Sequence, residues 1–245
     1  MLKGWFAIYY REVLILWLRR RRYIATLTVS PLLYLTAFSY AVGDNFNATN
    51  HTYIEFLIPG LAAMASMLES YSIASEINIA RFYWKIFEEF QAAPVSEAAY
   101  VLAEVAAGVT RAMISVSIIV VLGLPFGVFL DYGLLFWFAI ILNAYVFSTL
   151  AIIIAMVVRG HADQFMLSNF IITPMAFLGG TFFPLDRFPE WVQFLLNFVP
   201  ITHASNAVRS AAFNQQVAST SYVILFALGT IFFLLAIRVV KKARD

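Results

Sequence analysis

Glu69, Glu104 and Arg111 are ionisable residues set inside apolar stretches of a 245-residue chain. A charge in such a setting is costly to keep, so each needs a physical reason. Glu69 is flanked by Ser66, Ser70, Ser72 and Ser75, which makes that half of its helix polar. Two readings stand side by side: this face lines a path or a subunit interface, or Glu69 is protonated or paired and purely structural. Glu104 and Arg111 are seven residues apart, two turns on one helix face. That is too far along the axis for a direct pair, and near a helix end their role is structural.

Catalytic chemistry is missing from the rest of the inventory. Lys3, Lys85, Lys241 and Lys242 are followed by Gly, Ile, Lys and Ala, so no phosphate-binding Lys-Ser/Thr pair exists. No serine stands in a Gly-x-Ser-x-Gly elbow. His51, His161 and His203 fall in separate connections, with no Glu or His at metal-ligand spacing. The chain has no cysteine, which excludes disulfides, thiolate zinc sites and thiol nucleophiles. The expectation is a chain that is not an enzyme and holds no cofactor or metal.

The elements that position these residues must live in lipid. Hydrophobic residues make up 62% of the chain and charged ones 12%, against roughly half and one quarter in a soluble domain. A soluble fold of this length cannot hide so much apolar surface. The expected fold is an all-α integral membrane domain with six spans, at 24–42, 55–75, 105–130, 133–157, 165–183 and 221–240. Pro174 and the Gly179-Gly180 pair interrupt the fifth. Pro31, Pro125 and Pro174 are expected to kink their helices.

Cationic residues orient the spans. One side collects Lys3, Arg11, Arg19 to Arg22, Arg81, Lys85, Arg159, Arg238, Lys241, Lys242 and Arg244, and the other only Arg187 and Arg209. Both termini are therefore expected in the cytoplasm, in a plasma membrane of bacterial type. The N-terminal residues lack the pattern of a cleaved signal peptide. Asn47-Ala48-Thr49 and Asn50-His51-Thr52 match a glycosylation pattern but read as a polar external turn.

Three segments are not simple spans. Residues 1–22 place Trp5, Phe6, Tyr9, Val13, Leu16 and Trp17 at helical spacing, as in a helix lying at the interface. In 79–91, Ile79, Phe82, Tyr83, Ile86, Phe87 and Phe90 share one face, with Arg81, Lys85, Glu88 and Glu89 opposite, before Pro94. Such a helix lies on the membrane or docks into a soluble partner. Residues 184–200, bracketed by prolines, are too short for two crossings and read as a re-entrant or interfacial external segment.

The order of these parts resembles the ABC-2 type family of ABC transporter permeases. Phe87 to Ser96 (FEEFQAAPVS), Gly179 to Leu185 (GGTFFPL) with Phe188 to Trp191 (FPEW), and Pro200 to His203 (PITH) with Arg209 carry the resemblance, helped by Phe56 to Gly60 (FLIPG). Nearly the whole chain is covered, in order. The resemblance implies an N-terminal elbow helix, a coupling helix at about 79–91 and two permease copies assembled with two ATPase subunits, which hold ATP and Mg. It points to Arg81, Lys85, Glu88 and Glu89 as contacts with the ATPase. Glu69, Phe177, Gly179, Gly180, Phe182 and Phe183 become candidates for the substrate path or the subunit interface. Tyr83-Trp84-Lys85-Ile86 departs from the family, where a charged residue and Gly-Thr are usual. Membrane lipids are implied partners and nucleic acid is not. A secondary transporter coupled to an ion through Glu69 is the alternative, though no internal repeat supports it.

Overall fold

A computed structural model describes residues 4–42, 52–86, 95–158 and 160–244. Helix starts are set by local chemistry. Thr52 and Glu55 form a reciprocal cap, Glu55 N donating to Thr52 Oγ1 and Thr52 N to Glu55 Oε2 at 2.8 Å, and open α2, Tyr53–Tyr71. Ser96 accepts from Ala99 N and opens α4, Glu97–Gly123. Pro125 then tightens the chain into a 3-10 turn over Leu124–Phe126, and Gly127, at φ 75°, ends it. Between them α3, Ile73–Phe82, continues almost directly from α2.

The remaining elements are α1, Trp5–Val42; α5, Leu134–Val157; α6, His161–Leu167; α7, Thr173–Leu178; α8, Glu190–Leu196; α9, Pro200–Ala212; and α10, Ser219–Arg244. Every regular element among the described residues is helical. Four stretches are long and apolar enough to cross a membrane: Tyr53–Phe82, Glu97–Phe126, Leu134–Val157 and Ser219–Ala243. The all-α membrane fold is thus as the sequence implies.

Two expectations need correction. Residues 1–22 do not form a separate helix: α1 runs unbroken for 38 residues, about 57 Å of rise. The arginine quartet reads as a boundary by charge, yet arginine is a good helix former. Between Trp5 and Pro31 there is no glycine or proline to interrupt the helix. The helix expected over 79–91 is interrupted: α3 ends at Phe82, Lys85 follows at φ 56°, a region that ends helices, and Ile86 is helical again. Three successive aromatic residues, Phe82 to Trp84, crowd the preceding turn and weaken the ladder there. Glu88 and Glu89 lie outside the described residues.

The fifth apolar segment is interrupted earlier than Pro174 by a π turn over Ser168–Ile172, where Thr173 N donates to Ser168 O. Proline lacks the N–H that Phe170 O needs, and widening the preceding turn accommodates the gap. Helix α5 is the hub, packed against α2, α3, α4, α9 and α10. Polar side chains join it to α2: Asn143 Nδ2 donates to Ala63 O at 2.9 Å, and Ser66 Oγ to Ile140 O at 3.2 Å. Such bonds hold membrane helices together where hydrophobicity cannot.

Gly60 fixes how the 179–183 loop sits on α2. A Cβ at this position would lie 2.0 Å from Thr181 O, and a backbone carbonyl cannot swing aside. Gly60→Ala is expected to cost about 1–3 kcal/mol. Thermal unfolding in detergent checks this, and an unchanged midpoint would show that the loop is free to move.

Candidate coupling and path elements

Arg111 reaches out of the middle of α4 and is 3% exposed. Its two terminal nitrogens grip both oxygens of Glu76 on α3, Nη1 to Oε1 at 2.8 Å. Nη2 also lies 3.6 Å from Glu12 Oε2 on α1. Glu12, itself buried, pairs with Arg11 at 3.1 Å. One guanidinium therefore ties three helices. A planar fork suits this task, since it meets a carboxylate with two parallel bonds.

The cluster opens on a cleft of about 380 Å³ lined by Arg11, Glu12, Glu76, Trp84, Tyr100 and Glu104. Glu104 is buried there at 4% exposure. As expected, Glu104 and Arg111 make no direct pair, because Arg111 is committed to Glu76 instead. Glu69 stands a little apart on α2, half-buried, and accepts a 2.7 Å bond from Tyr23 on α1. Neither Glu12 nor Glu76 was singled out by the sequence. Their partners come from other helices, and spacing within one helix cannot reveal that.

Arg81 closes the other end of α3. Its Nη1 donates to Met156 O at 2.6 Å, at the last turn of α5, and its guanidinium lies 4.8 Å above the Phe82 ring. Asn78 Nδ2 donates to Val158 O at 2.9 Å beside it. Helix α3 is therefore fastened to α4 by Glu76 and to the end of α5 by Asn78 and Arg81. Lys85 is exposed beyond this fastening.

The far end of the molecule is organised by Arg209 of α9. Its Nη2 donates to Gly180 O at 2.9 Å, Nη1 to Ser205 Oγ at 3.3 Å, and its guanidinium lies 3.9 Å above the Phe56 ring. No carboxylate pairs with it among the described residues. Burial lowers its pKa to about 10, which leaves it a cation at neutral pH. Gly180 takes φ 75°, which glycine allows cheaply, and so turns its carbonyl to the guanidinium. The sequence counted Arg209 as a loop cation; the structure makes it an internal brace.

The other candidates near this loop separate into two groups. Phe182 is fully buried, its ring 5.1 Å from Phe177 and 5.4 Å from Tyr34, with its carbonyl accepting from Tyr53 Oη at 3.1 Å. Gly179 packs tightly on Ile201. Phe177 and Phe183 are exposed, together with Phe165, Phe170, Trp191 and Phe194 on the neighbouring segments. Exposed aromatic side chains of this kind can face lipid or another protein surface. Among the described residues no group of His, Cys, Asp and Glu could hold a metal ion.

The sequence profile of the ABC-2 type transporter family matches residues 3–213. The chain is 24% identical over 221 residues to the inner membrane transport permease YadH of Escherichia coli K12, covering 88% of this chain and 86% of that protein. It is 25% identical over 187 residues to the daunorubicin resistance ABC transporter permease protein DrrB1 of Streptomyces coeruleorubidus, 75% of this chain and 66% of the relative. Nodulation protein J of Sinorhizobium fredii NGR234 shares 24% over 165 residues, 66% and 63% of the two chains. A secondary transporter driven through Glu69 does not fit these relatives, and Glu69 is bonded to Tyr23. With the profile running through the three-helix tie, the Gly179-Gly180 loop and Arg209, the chain belongs to the ABC-2 type transporter family.

Proposed function

We propose that this permease is the membrane half of an ABC exporter, with two copies forming the substrate path and two ATPase subunits holding ATP and Mg. The observation that carries the reading is the double fastening of α3. The expected ATPase contacts are Arg81, Lys85, Glu88 and Glu89; Arg81 is bonded to Met156 O at the end of α5, which leaves the connection after Phe82, with Lys85, Glu88 and Glu89, to meet the ATPase. A displacement of that connection pulls on α3. Glu76 passes the pull to Arg111 in α4 and, through it, to Glu12 in α1. Arg81 and Asn78 pass it to the end of α5. The three spans then move as packed bodies, which is how a small shift at one site becomes an opening elsewhere.

The path lies between two copies in this reading, along the exposed aromatic face that includes Phe177 and Phe183. Gly179, Gly180 and buried Phe182 hold that face in place. Glu69 borders α1 and can follow its motion. The topology is six spans with both termini cytoplasmic. The second half of α1 supplies the first span and residues 161–178 the fifth, and 184–200 form a re-entrant external segment. The lopsided distribution of Arg and Lys supports this orientation, and the four long apolar helices support the second, third, fourth and sixth spans.

Co-purification with the candidate ATPase, wild type against Glu88→Ala plus Glu89→Ala, tests the reading. A complex that forms with wild type and loses coupled ATPase activity in the double variant is expected. No ATPase partner under mild extraction would overturn the exporter. Equal binding by both forms would move the contact away from those two glutamates.

A further inference from the structure

Between α1 and α4 runs an open groove of about 680 Å³, walled by Ile24 and Thr28 on one side and by Val109 to Leu122 on the other. Three hydroxyls lie in these walls, and each donates to its own helix. Thr28 Oγ1 bonds Ile24 O at 2.7 Å, Thr110 Oγ1 bonds Ala106 O at 2.8 Å and Ser117 Oγ bonds Met113 O at 2.7 Å. With those protons turned inward, the groove offers little but hydrocarbon to an occupant. From Val109 to Leu122 the rise along α4 is about 20 Å, against ~15 Å for half of a bilayer's hydrocarbon core. The groove is long enough to take the full depth of one leaflet's hydrocarbon.

One turn before Ile24 the same face of α1 becomes strongly basic. Arg20 precedes Ile24 by four residues and Arg21 precedes Thr28 by seven, so all four side chains share one stripe. Arg19 to Arg22 are exposed, and none pairs with a carboxylate among the described residues. Arg20 lies 4.4 Å above the Trp17 ring and donates from Nη1 to Trp17 O at 3.0 Å. That stacking holds the guanidinium in place while leaving four of its five donors unused. An exposed indole beside it suits the depth of lipid headgroups.

We propose that this groove and the adjoining arginines form a site for one anionic phospholipid, its phosphate on Arg20 and Arg21 and an acyl chain between α1 and α4. The site lies in the leaflet nearest the start of α1, which is the cytoplasmic leaflet in the orientation proposed above. A zwitterionic lipid fills the groove equally well but carries its own cation, so it gains less from the arginines. The site is separate from the exposed aromatic face around Phe177. It would hold α1 to α4 at a fixed depth.

Native mass spectrometry of the purified protein, titrated with phosphatidylglycerol or phosphatidylcholine of matched chains, tests the site. Wild type is expected to retain phosphatidylglycerol preferentially. Arg20→Gln with Arg21→Gln should weaken that retention about thirtyfold. Ser117→Trp, an exposed position that fills the groove, should weaken retention of both lipids and leave the arginines untouched. Equal retention of both lipids by wild type would overturn the site. So would loss in the arginine variant with none in Ser117→Trp, which would reduce the effect to attraction by surface charge. The chain has no native cysteine, so Ser117→Cys adds a third reading. A disulfide between copies would show that the groove is covered by protein instead.

Discussion

Arg111→Gln is expected to lower the thermal stability of the permease and to cut ATP-driven transport at least tenfold. Removing one partner of a buried ion pair is commonly worth 3–5 kcal/mol. Here the cost is expected nearer ~2 kcal/mol, because the Glu76 side chain is 50% exposed and Glu12 keeps Arg11. The functional loss should exceed what that stability change explains, since α1 and α3 lose their common tie to α4. Thermal unfolding in detergent and transport in vesicles give the two readouts. Glu76→Gln combined with Arg111→Gln should cost much less than the sum of the single changes. Additive losses, or full transport in Arg111→Gln, would show that the cluster is packing alone.

Arg209→Met should split stability from function in the opposite way. Burying an uncompensated cation is costly, and a methionine of similar length removes that cost. Against this stands the loss of two charge-assisted bonds and of the stacking on Phe56, worth a few kcal/mol together. These terms oppose each other, so the unfolding midpoint should stay close to wild type. Gly180 O then loses its donor and the 179–187 loop its brace. Faster amide exchange confined to that loop is expected, with transport reduced about tenfold or more. Arg209→Lys should behave as a partial loss, because a single ammonium cannot serve Gly180 O and Ser205 while stacking on the ring. Unchanged exchange in the loop would mean that Gly60 and Tyr53 suffice to hold it.

Much of the fold was legible because lipid demands long apolar runs. Residues 133–157 were bounded within a residue, since Gly133 and Val158 flank a run without a single charge. Segments whose chemistry is mixed were read less well. Arg19 to Arg22 look like the end of an interfacial helix by charge, yet backbone propensity carries α1 straight through them. The break at Tyr83 to Lys85 has no glycine or proline to announce it. The π turn follows from Pro174 but appears a turn before it. The site was harder still. Arg111 and Glu76 are 35 residues apart in sequence, and a pair between helices leaves no periodic trace within either. Arg209 lies in a connection by hydropathy, so its burial depended on how α9 folds back against α2 and α5.

From Trp5 to Ser30 the helix α1 carries no glycine or proline, so its first half acts as one arm of a lever joined to the rest of the helix. Trp5 stands about 26 Å along the axis from Arg22. A tilt of ~10° about Arg22 would sweep Trp5 sideways by about 4 Å, with no joint between them to absorb it. Glu12, held near Arg111, sits on that arm. Movement of the membrane half of α1 is thus delivered, at nearly full amplitude, to the surface around the helix's first turns, and force applied there returns to the spans by the same rod.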